Sequence, residues 1–555
     1  MDWSLNVLVW GQDVTSKITS TIKIEAEEST ARTATFTIRP ADGVIDVNAW
    51  FNAPVSIDFI TLPATTDRVF TGKVSEPVYS PVTKLVTFNC TDDLQGHFND
   101  MSEAQILAAI PGGRYNGDVF GARESGWQQA QDVLSTVTGS YDLGRFGNAL
   151  YTAWAANPVA DFSFTASNAD DVSLELVRQR DMINTVNFTA KYRFVRLHHR
   201  EHDFLWEWPG LCEYLGQSHE LPTRSMVEAA ADGMHWKRKR KQICFKTLPD
   251  SGVYCSGQNW SVTEELQNQL CTSASWRGAR RWAQDVTESY DLTLTEAGSV
   301  AQYGQLLLED AADSETKYSS ASWEASLDTE DPAFLGGSLE PYDPNGCGSG
   351  SLASAPGNSW TWGDKDSAAT VTGLIETLLQ HGSHLIKGSH RRNYVSWLAA
   401  IIPTLELSHT AEISAEGISA KGKVHQYIHD IDIKAGTALT TVKIAISRVP
   451  AGGSEDALTA PARPVTDAYV VPAASTIFDT HIGNSDVVAN YDADWSGFTG
   501  NYSVAVGSPT EDQVYPRRFR AVGPDIEAAA DDEIIATTVG TYNVQVPNET
   551  LTVTV

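Results

Sequence analysis

A chain of 555 residues is too long for one hydrophobic core, and at roughly 150 residues per domain it suggests three or four domains. Hydrophobic residues make up 42% and charged residues 20%, enough to build large cores, which excludes wholesale disorder. The 70 acidic against 40 basic residues, net −30, argue against a binder of free duplex DNA, because neutralising phosphates takes clustered Lys and Arg.

Residues 1–98 read as strand after strand. Leu5–Val9, Ile22–Ile24, Thr35–Ile38, Val55–Phe59, Val69–Val74 and Leu85–Phe88 are short and rich in β-branched or aromatic residues. Turn residues such as Pro40-Ala41-Asp42-Gly43 and Ser80-Pro81 separate them. Without intervening helices, they read as an antiparallel barrel. The N-terminal MDWSLNVLVWGQD has no Lys or Arg before its apolar stretch, so it is expected to be a first strand rather than a signal peptide, in a protein folded in a cytoplasm. No run of roughly 18 apolar residues predicts a transmembrane helix.

Residues 99–210 switch period. Ala104, Ile106, Leu107 and Ile110 fit a short helix, and Trp127, Ala130, Leu134 and Val137 a second. Strands resume at Ser173–Leu176 and at Val186–Leu197, where Val186, Phe188, Ala190, Tyr192, Phe194 and Arg196 share one face. Residues 211–399 read as mixed α/β, with helix candidates at Glu264–Cys271 and Ala279–Val286 and a Gly/Ser/Pro-rich linker near 341–359. Ala368–Leu379 carries Val371, Leu374, Ile375 and Leu378 at helical spacing, with Asp366 or Ser367 as N-cap candidates.

Residues 400–448 return to alternation: Val424, Ile428, Ile431 and Ile433, a turn at Lys434-Ala435-Gly436, then Val442, Ile444 and Ile446. This reads as a second barrel, completed by earlier strands. Pro450–Pro464 reads as a linker, and residues 465–555 as a small all-β domain with strand candidates at Tyr502–Val506, Thr541–Val546 and Leu551–Val555. No tandem repeat stands out.

Motifs with chemistry are sparse. There is no phosphate loop, H-E-x-x-H helix, G-x-S-x-G elbow or EF-hand loop. Of the six cysteines, Cys212, Cys244, Cys255 and Cys271 fall in one poorly patterned segment. Four thiolates can hold zinc or an iron–sulfur cluster, but these spacings match neither arrangement, and buried free thiols are the plainer expectation. His198 and His202 share a face but lie on a strand pattern, too far apart to chelate one ion. His381, His384 and His390 follow the amphipathic helix and would need a serine or carboxylate brought close to form a nucleophile–base site. Lys237-Arg238-Lys239-Arg240-Lys241 is a basic island suited to an acidic partner surface. The 16 tryptophans are scattered, which favours packing over a sugar-stacking face.

Several stretches resemble the baseplate hub proteins of long-tailed bacteriophages, in particular the hub-like tail proteins of Mu-like siphophages that infect Pseudomonas. They are Val69-Phe70-Thr71-Gly72-Lys73-Val74 with Thr87–Asp93, Tyr141–Asn148, and Arg180–Asn184 leading into Tyr192-Arg193-Phe194. Ser389–Val395 and Ala420–Val424 with Ile428–Asp432 complete the set. The resemblance implies a mainly β, multidomain structural virion protein with two hub-type barrels joined by α/β insertions. It implies no enzyme, a homotrimer that adapts a sixfold tail tube to a threefold tip, and a channel that DNA passes without specific binding. Distal tail and tail-tube proteins, a central fibre or tip protein and the tape-measure protein are the implied partners. The implied location is the tail tip of the virion, after assembly in the host cytoplasm. Some tail-tip relatives carry an iron–sulfur cluster on four cysteines, a ligand set that the present spacing does not transfer. Two other readings stay open: a tail-associated cell-wall hydrolase, and a carbohydrate- or receptor-binding tail protein using residues 465–555.

Overall fold

The computed structural model describes residues 3–41, 47–61, 65–207, 222–233, 237–238, 243–247, 251–253, 259–261, 271–315, 358–361, 364–449, 454–465, 477–482, 517–522 and 533–554. It is mainly β. The chain opens with β1 (Trp3–Val9), β2 (Gln12–Asp13), β3 (Ile22–Glu27), β4 (Thr33–Ile38), β5 (Pro54–Thr61), β6 (Thr65–Ser80) and β7 (Leu85–Thr91). Helices α1 (Leu94–Asn99), α2 (Glu103–Ala109), α3 (Gly117–Phe120) and α4 (Gly126–Leu134) follow. Next come the hairpin β8 (Gly139–Leu143) and β9 (Ala149–Ala153), then β10 (Phe162–Thr165), β11 (Asp170–Glu175) and β12 (Thr185–Glu207). Helix α5 (Arg224–Gly233) precedes β13 (Lys237–Arg238), β14 (Cys244–Thr247), β15 (Ser251–Val253), β16 (Asn259–Ser261) and the long β17 (Cys271–Thr295). Then come α6 (Ala297–Tyr303), β18 (Leu307–Glu315), β19 (Asn358–Thr361) and α7 (Asp364–His390). The chain ends with β20 (Asn393–Ala400), β21 (Thr410–Ala415), β22 (Ile418–Asp432), β23 (Thr437–Ile446), β24 (Ile477–Ile482), β25 (Arg517–Val522), β26 (Ile534–Asn543) and β27 (Leu551–Val553).

One sheet carries both regions expected to be barrels, in the order β11-β20-β23-β22-β3-β4-β7-β6-β5-β1-β2, with β10 and β27 added beside β21 and β22. The mainly β class with α/β insertions holds, but neither region closes on itself among the described residues. Closure would bring β3 back to β1; instead β3 gives its second edge to β22, from Ile22↔Ile431 to Glu27↔Gln426. Alternation sets the faces: Leu5, Val7 and Val9 turn into a core with Ile24, Phe36, Ile57, Phe70 and Phe88. Val395, Trp397, Ile413, Val424, Val442 and Ile444 form a separate core on the far side of the join.

A second sheet is built on β12 and β17, which pair antiparallel from Thr185↔Thr295 to Glu207↔Ser273. Its apolar face (Val186, Phe188, Ala190, Tyr192, Phe194) packs against Leu374, Ile375, Leu378 and Ile386 of α7. Gly382 lets the helix lie close, since a Cβ there would sit 2.8 Å from Phe188 Cε2.

Several expectations need correction. Ala279–Val286 is strand, inside β17, because it pairs along its length with β12, whereas an isolated segment shows only an ambiguous pattern. The helix at 368–379 runs on to His390 and starts before both proposed caps, so His381, His384 and His390 lie on it rather than after it. The 454–464 part of the expected linker packs down: Leu458 and Ala460 contact the second-sheet core. Of the C-terminal segment, β26 pairs parallel with β17 and β27 antiparallel with β22. Residues 264–270, 341–357 and 502–506 lie outside the described residues.

Candidate functional site: a repeated bulge and the charges around it

The strands of the large sheet divide into two sets of one design. The first set has the spatial order β1-β5-β6-β7-β4-β3, and the second β10-β21-β22-β23-β20-β11. In chain order each set reads first strand, two outer strands, then a three-stranded meander. The long insertion carrying β12, β17 and α7 enters the second set between its two outer strands, after β11 and before β20. The sets differ at the first strand: β1 runs antiparallel to β5, whereas β10 runs parallel to β21.

Around one bulge their registers coincide residue for residue. In β6, Lys73 faces Pro54 and Thr91, Val74 faces Cys90, Ser75 is bulged out, and Glu76 faces Asn89. In β22, Lys423 faces Thr410 and Ala445, Val424 faces Ile444, His425 is bulged out, and Gln426 faces Lys443. Both bulges follow Gly-Lys-Val (Gly72-Lys73-Val74 and Gly422-Lys423-Val424). Each glycine is required by a close approach: a Cβ would lie 2.3 Å from the Thr91 carbonyl oxygen at one and 2.4 Å from that of Ala445 at the other.

The second bulge is filled by charge. Glu28, just past β3, receives a bidentate Arg391 (Nη1 2.6 Å, Nη2 3.0 Å), Lys423 Nζ at 2.8 Å and His425 Nδ1 at 2.9 Å. Burial opposes ionisation of Glu28, yet Arg391, the His425 hydrogen bond and Lys423 outweigh it and hold the carboxyl well below its ordinary range. Lys423 also donates to Ser140 Oγ, 2.9 Å away, and Ser140 donates to Asp142 at 2.8 Å. Asp142 accepts from the Ser29 amide at 2.7 Å, but burial pushes its carboxyl up to about 6. Arg391 stacks over Trp154 at 5.2 Å, and Trp154 lies 4.8 Å from the His384 ring. His384 hydrogen-bonds the Val137 carbonyl at 2.6 Å, while burial lowers it to about 4, so it is neutral at pH 7 and Nδ1 is the donor. Of this cluster, Glu28, Arg391, His425, Trp154 and His384 line a cavity of about 360 Å³. A second chain of charges ties β4 to the loops: Arg32 Nη2 lies 2.7 Å from Glu406, whose other oxygen accepts from the Arg145 amide at 2.9 Å. These ion pairs fix the join between elements distant in sequence.

His390 Nε2 lies 2.9 Å from Ser299 Oγ, the pairing a nucleophile–base site needs. Both residues are 0% exposed, and His390 Nδ1 bonds the Ile386 carbonyl of its own helix rather than a carboxylate. The pair pins α6 against α7. Arg391 is committed to Glu28. His198 and His202 lie on β12 as expected, opposite Trp282 and Gly278. Lys237 and Arg238 form the short β13, and Lys239–Lys241 lie outside the described residues.

Of the four cysteines considered as ligands, Cys244 is disulfide-bonded, contrary to the expectation of free thiols, and a sulfur in a disulfide is not a thiolate. Cys271 is a buried thiol that burial pushes up to about 12. Cys212 and Cys255 lie outside the described residues, as does Trp495. Among the described residues, no group of His, Cys, Asp or Glu is arranged to hold a metal, and no helix is long and apolar enough to cross a membrane. Trp276 and Trp397 are core residues. Sequence reasoning missed Glu28, Asp142 and the doubled Gly-Lys-Val; the last was visible as a tripeptide, but its meaning lies in the register.

No protein-family profile and no curated protein sequence matches the chain. Solved structures that match include tail proteins of phages and prophages and a component of a type VI secretion system. A tail protein from Neisseria meningitidis is 9% identical with a TM-score of 0.36, covering 81% of this chain and 98% of its own. The 43 kDa tail protein of prophage MuSo2 from Shewanella oneidensis is 10% identical with a TM-score of 0.35, covering 79% and 97%. A type VI secretion system component from E. coli, described as structurally similar to T4 tail proteins, is 9% identical with a TM-score of 0.28, covering 89% and 87%. At such values the likeness assigns no role, and the chain's own geometry has to supply one.

Proposed function

We propose that this chain is a structural virion protein, the hub of a siphophage tail-tip baseplate, in which three copies adapt a sixfold tail tube to a threefold tip. The observation that carries the reading is the repeated meander: two units in one chain with the same strand order and the same bulge register. A protein facing a symmetry mismatch can resolve it by presenting two like units per subunit, so that three chains offer six similar positions. Buried ion pairs at the join, Glu28 with Arg391 and Lys423 above all, hold the two units in one orientation. The partners are a second and third copy, tail-tube and distal tail proteins on one side, a central fibre or tip protein on the other, and the tape-measure protein. The net charge of −30 suits a lumen that DNA traverses without sticking. Native mass spectrometry and electron microscopy of the purified full-length chain test the reading. A trimer forming a ring with six similar lobes is expected; a monomer at every concentration, together with turnover of purified cell wall, overturns it.

A further inference from the structure

The two units are alike in register but unlike in what covers them. In the second unit, the half of β22 beyond the bulge has β23 on one edge and β3 of the first unit on the other, paired from Gln426↔Glu27 to Ile431↔Ile22. In the first unit, the matching half of β6, Glu76–Ser80, pairs with β7 on one edge, and among the described residues no strand pairs with the other. The second unit's counterpart of β3 is β11: Glu25 faces Thr33, which faces Thr91, as Glu175 faces Tyr394, which faces Ala445. β11 is the last strand of the sheet, and its outer edge is likewise unpaired among the described residues.

We infer that β11 of one copy adds to the outer half of β6 in the next copy, repeating between subunits the β3–β22 join made within each. This rests on the ring reading above and names its contact. Carrying the register over places Val177 opposite Glu76, Leu176 opposite Pro77, Glu175 opposite Val78 and Leu174 opposite Tyr79. Three exposed apolar side chains fall on this contact: Val78 is 47% exposed, Tyr79 38% and Leu176 58%. The charges are not carried over. Glu28 meets Lys423 and Arg391 within the chain, whereas its counterpart Arg178, exposed, arrives beside Lys73, the counterpart of Lys423, whose charge Asp93 already answers, with the exposed Glu76 next along the strand. Pro77 is the one departure. The Glu28 amide bonds to the His425 carbonyl, which fixes the alternation and points the Tyr427 amide at β3; Pro77, in the matching position, has no N–H to offer. The copy-to-copy ladder thus lacks one hydrogen bond, and the proline also keeps the edge from accepting arbitrary strands. A contact joining different surfaces of two copies is heterologous, and it closes a ring when the rotation allows.

The test is a disulfide across the new ladder. Glu175→Cys and Val78→Cys fall at a non-hydrogen-bonded pair, where Cα atoms lie about 4.5 Å apart, within disulfide reach. Oxidation of the double variant should give a covalent trimer on a non-reducing gel, with each single variant running as the wild type. Leu176→Asp, on an exposed site, should abolish the trimer in native mass spectrometry without unfolding the monomer. A wild-type trimer with no covalent trimer from the double variant, and an intact trimer from Leu176→Asp, overturns the β11–β6 contact and leaves the ring standing. A wild type that never oligomerises removes both.

Discussion

Gly72 and Gly422 occupy the same position in two strands and face the same obstacle, a main-chain carbonyl of the neighbouring strand, 2.3 Å and 2.4 Å from where a Cβ would be. Backbone cannot rotate away as a side chain can. Gly72→Ala and Gly422→Ala should therefore each destabilise the protein by on the order of 1–3 kcal/mol, seen as a lower denaturation midpoint. An alanine variant that melts with the wild type would show that the bulge has no steric requirement for glycine.

Much of the sheet is legible in the sequence because alternation reports a half-buried strand directly. Leu5, Val7 and Val9, or Val442, Ile444 and Ile446, need no tertiary context to be read. Ala279–Val286 misleads because its neighbours in β17 are Trp, Arg and Gln, and the burying partner lies far away in β12. The charge junction is invisible for a related reason. Glu28, Arg391 and Lys423 are unremarkable singly, and only the β3–β22 pairing makes them neighbours. His390 stands out in the sequence, but its partner Ser299 sits in a short helix that shows no clear apolar period.

Among the described residues, Glu28 is the carboxylate that forms ion pairs with both of two buried cations, Arg391 and Lys423, whose side chains are 7% and 2% exposed. Glu28→Ala leaves both without it and should cost about 3–5 kcal/mol, whereas exchanging Glu28 and Lys423 together for Met should cost less than the sum of the single changes. The sign with pH follows from the depressed carboxyl. Its contribution is complete above the ordinary value of 4.5 and is lost as pH falls toward the folded value. Chemical denaturation at pH 7 and pH 3 checks this; a Glu28→Gln deficit equally large at both would refute it.

Asp142 titrates in the opposite sense. Its folded carboxyl sits at about 6 against an ordinary 3.8, so the folded state holds a proton that the unfolded chain releases between those values, and stability falls as pH rises from about 4 to 6. Asp142→Asn removes that loss. Its stability relative to wild type should climb across this window, by up to about 3 kcal/mol, and stay level above it. His384 and His429, lowered by burial to about 4 and about 3, act the other way below 6.5 and partly mask Asp142 in the wild type. A difference curve between the two proteins cancels them; a flat curve from pH 4 to 7 would mean that Asp142 is better solvated than its burial indicates.

Ser299 and His390 have the spacing of a hydrolase dyad and none of its access. A fluorophosphonate probe that labels activated serines should leave Ser299 unmodified in the folded protein. Ser299→Ala should lower the melting temperature, because His390 Nε2 loses its partner in a buried site. Labelling at Ser299 would favour the hydrolase reading.

Arg463 ends a segment that crosses the second-sheet core, where its guanidinium meets Glu288 with Nη2–Oε1 at 2.6 Å and Nε at 3.0 Å from the other oxygen. Glu288 is 1% exposed and also accepts from Tyr290 at 2.6 Å, so removing this arginine takes away the cation paired with a buried carboxylate. Asp456 holds the other end of the segment through the Asn543 amide, and Leu458 and Ala460 fill the space between. Arg463→Ala should thus do two things together: cost about 3–5 kcal/mol by stranding a buried carboxylate, and free residues 454–465 for amide exchange. Arg463→Lys keeps the charge but loses the two-pronged contact, and should fall between. Hydrogen–deuterium exchange separates this from a merely local effect, because release of the segment raises exchange at 454–465 and along β26, whose Asn543 anchors it. Exchange confined to the few residues around position 463 would show that the segment is held by its apolar contacts instead.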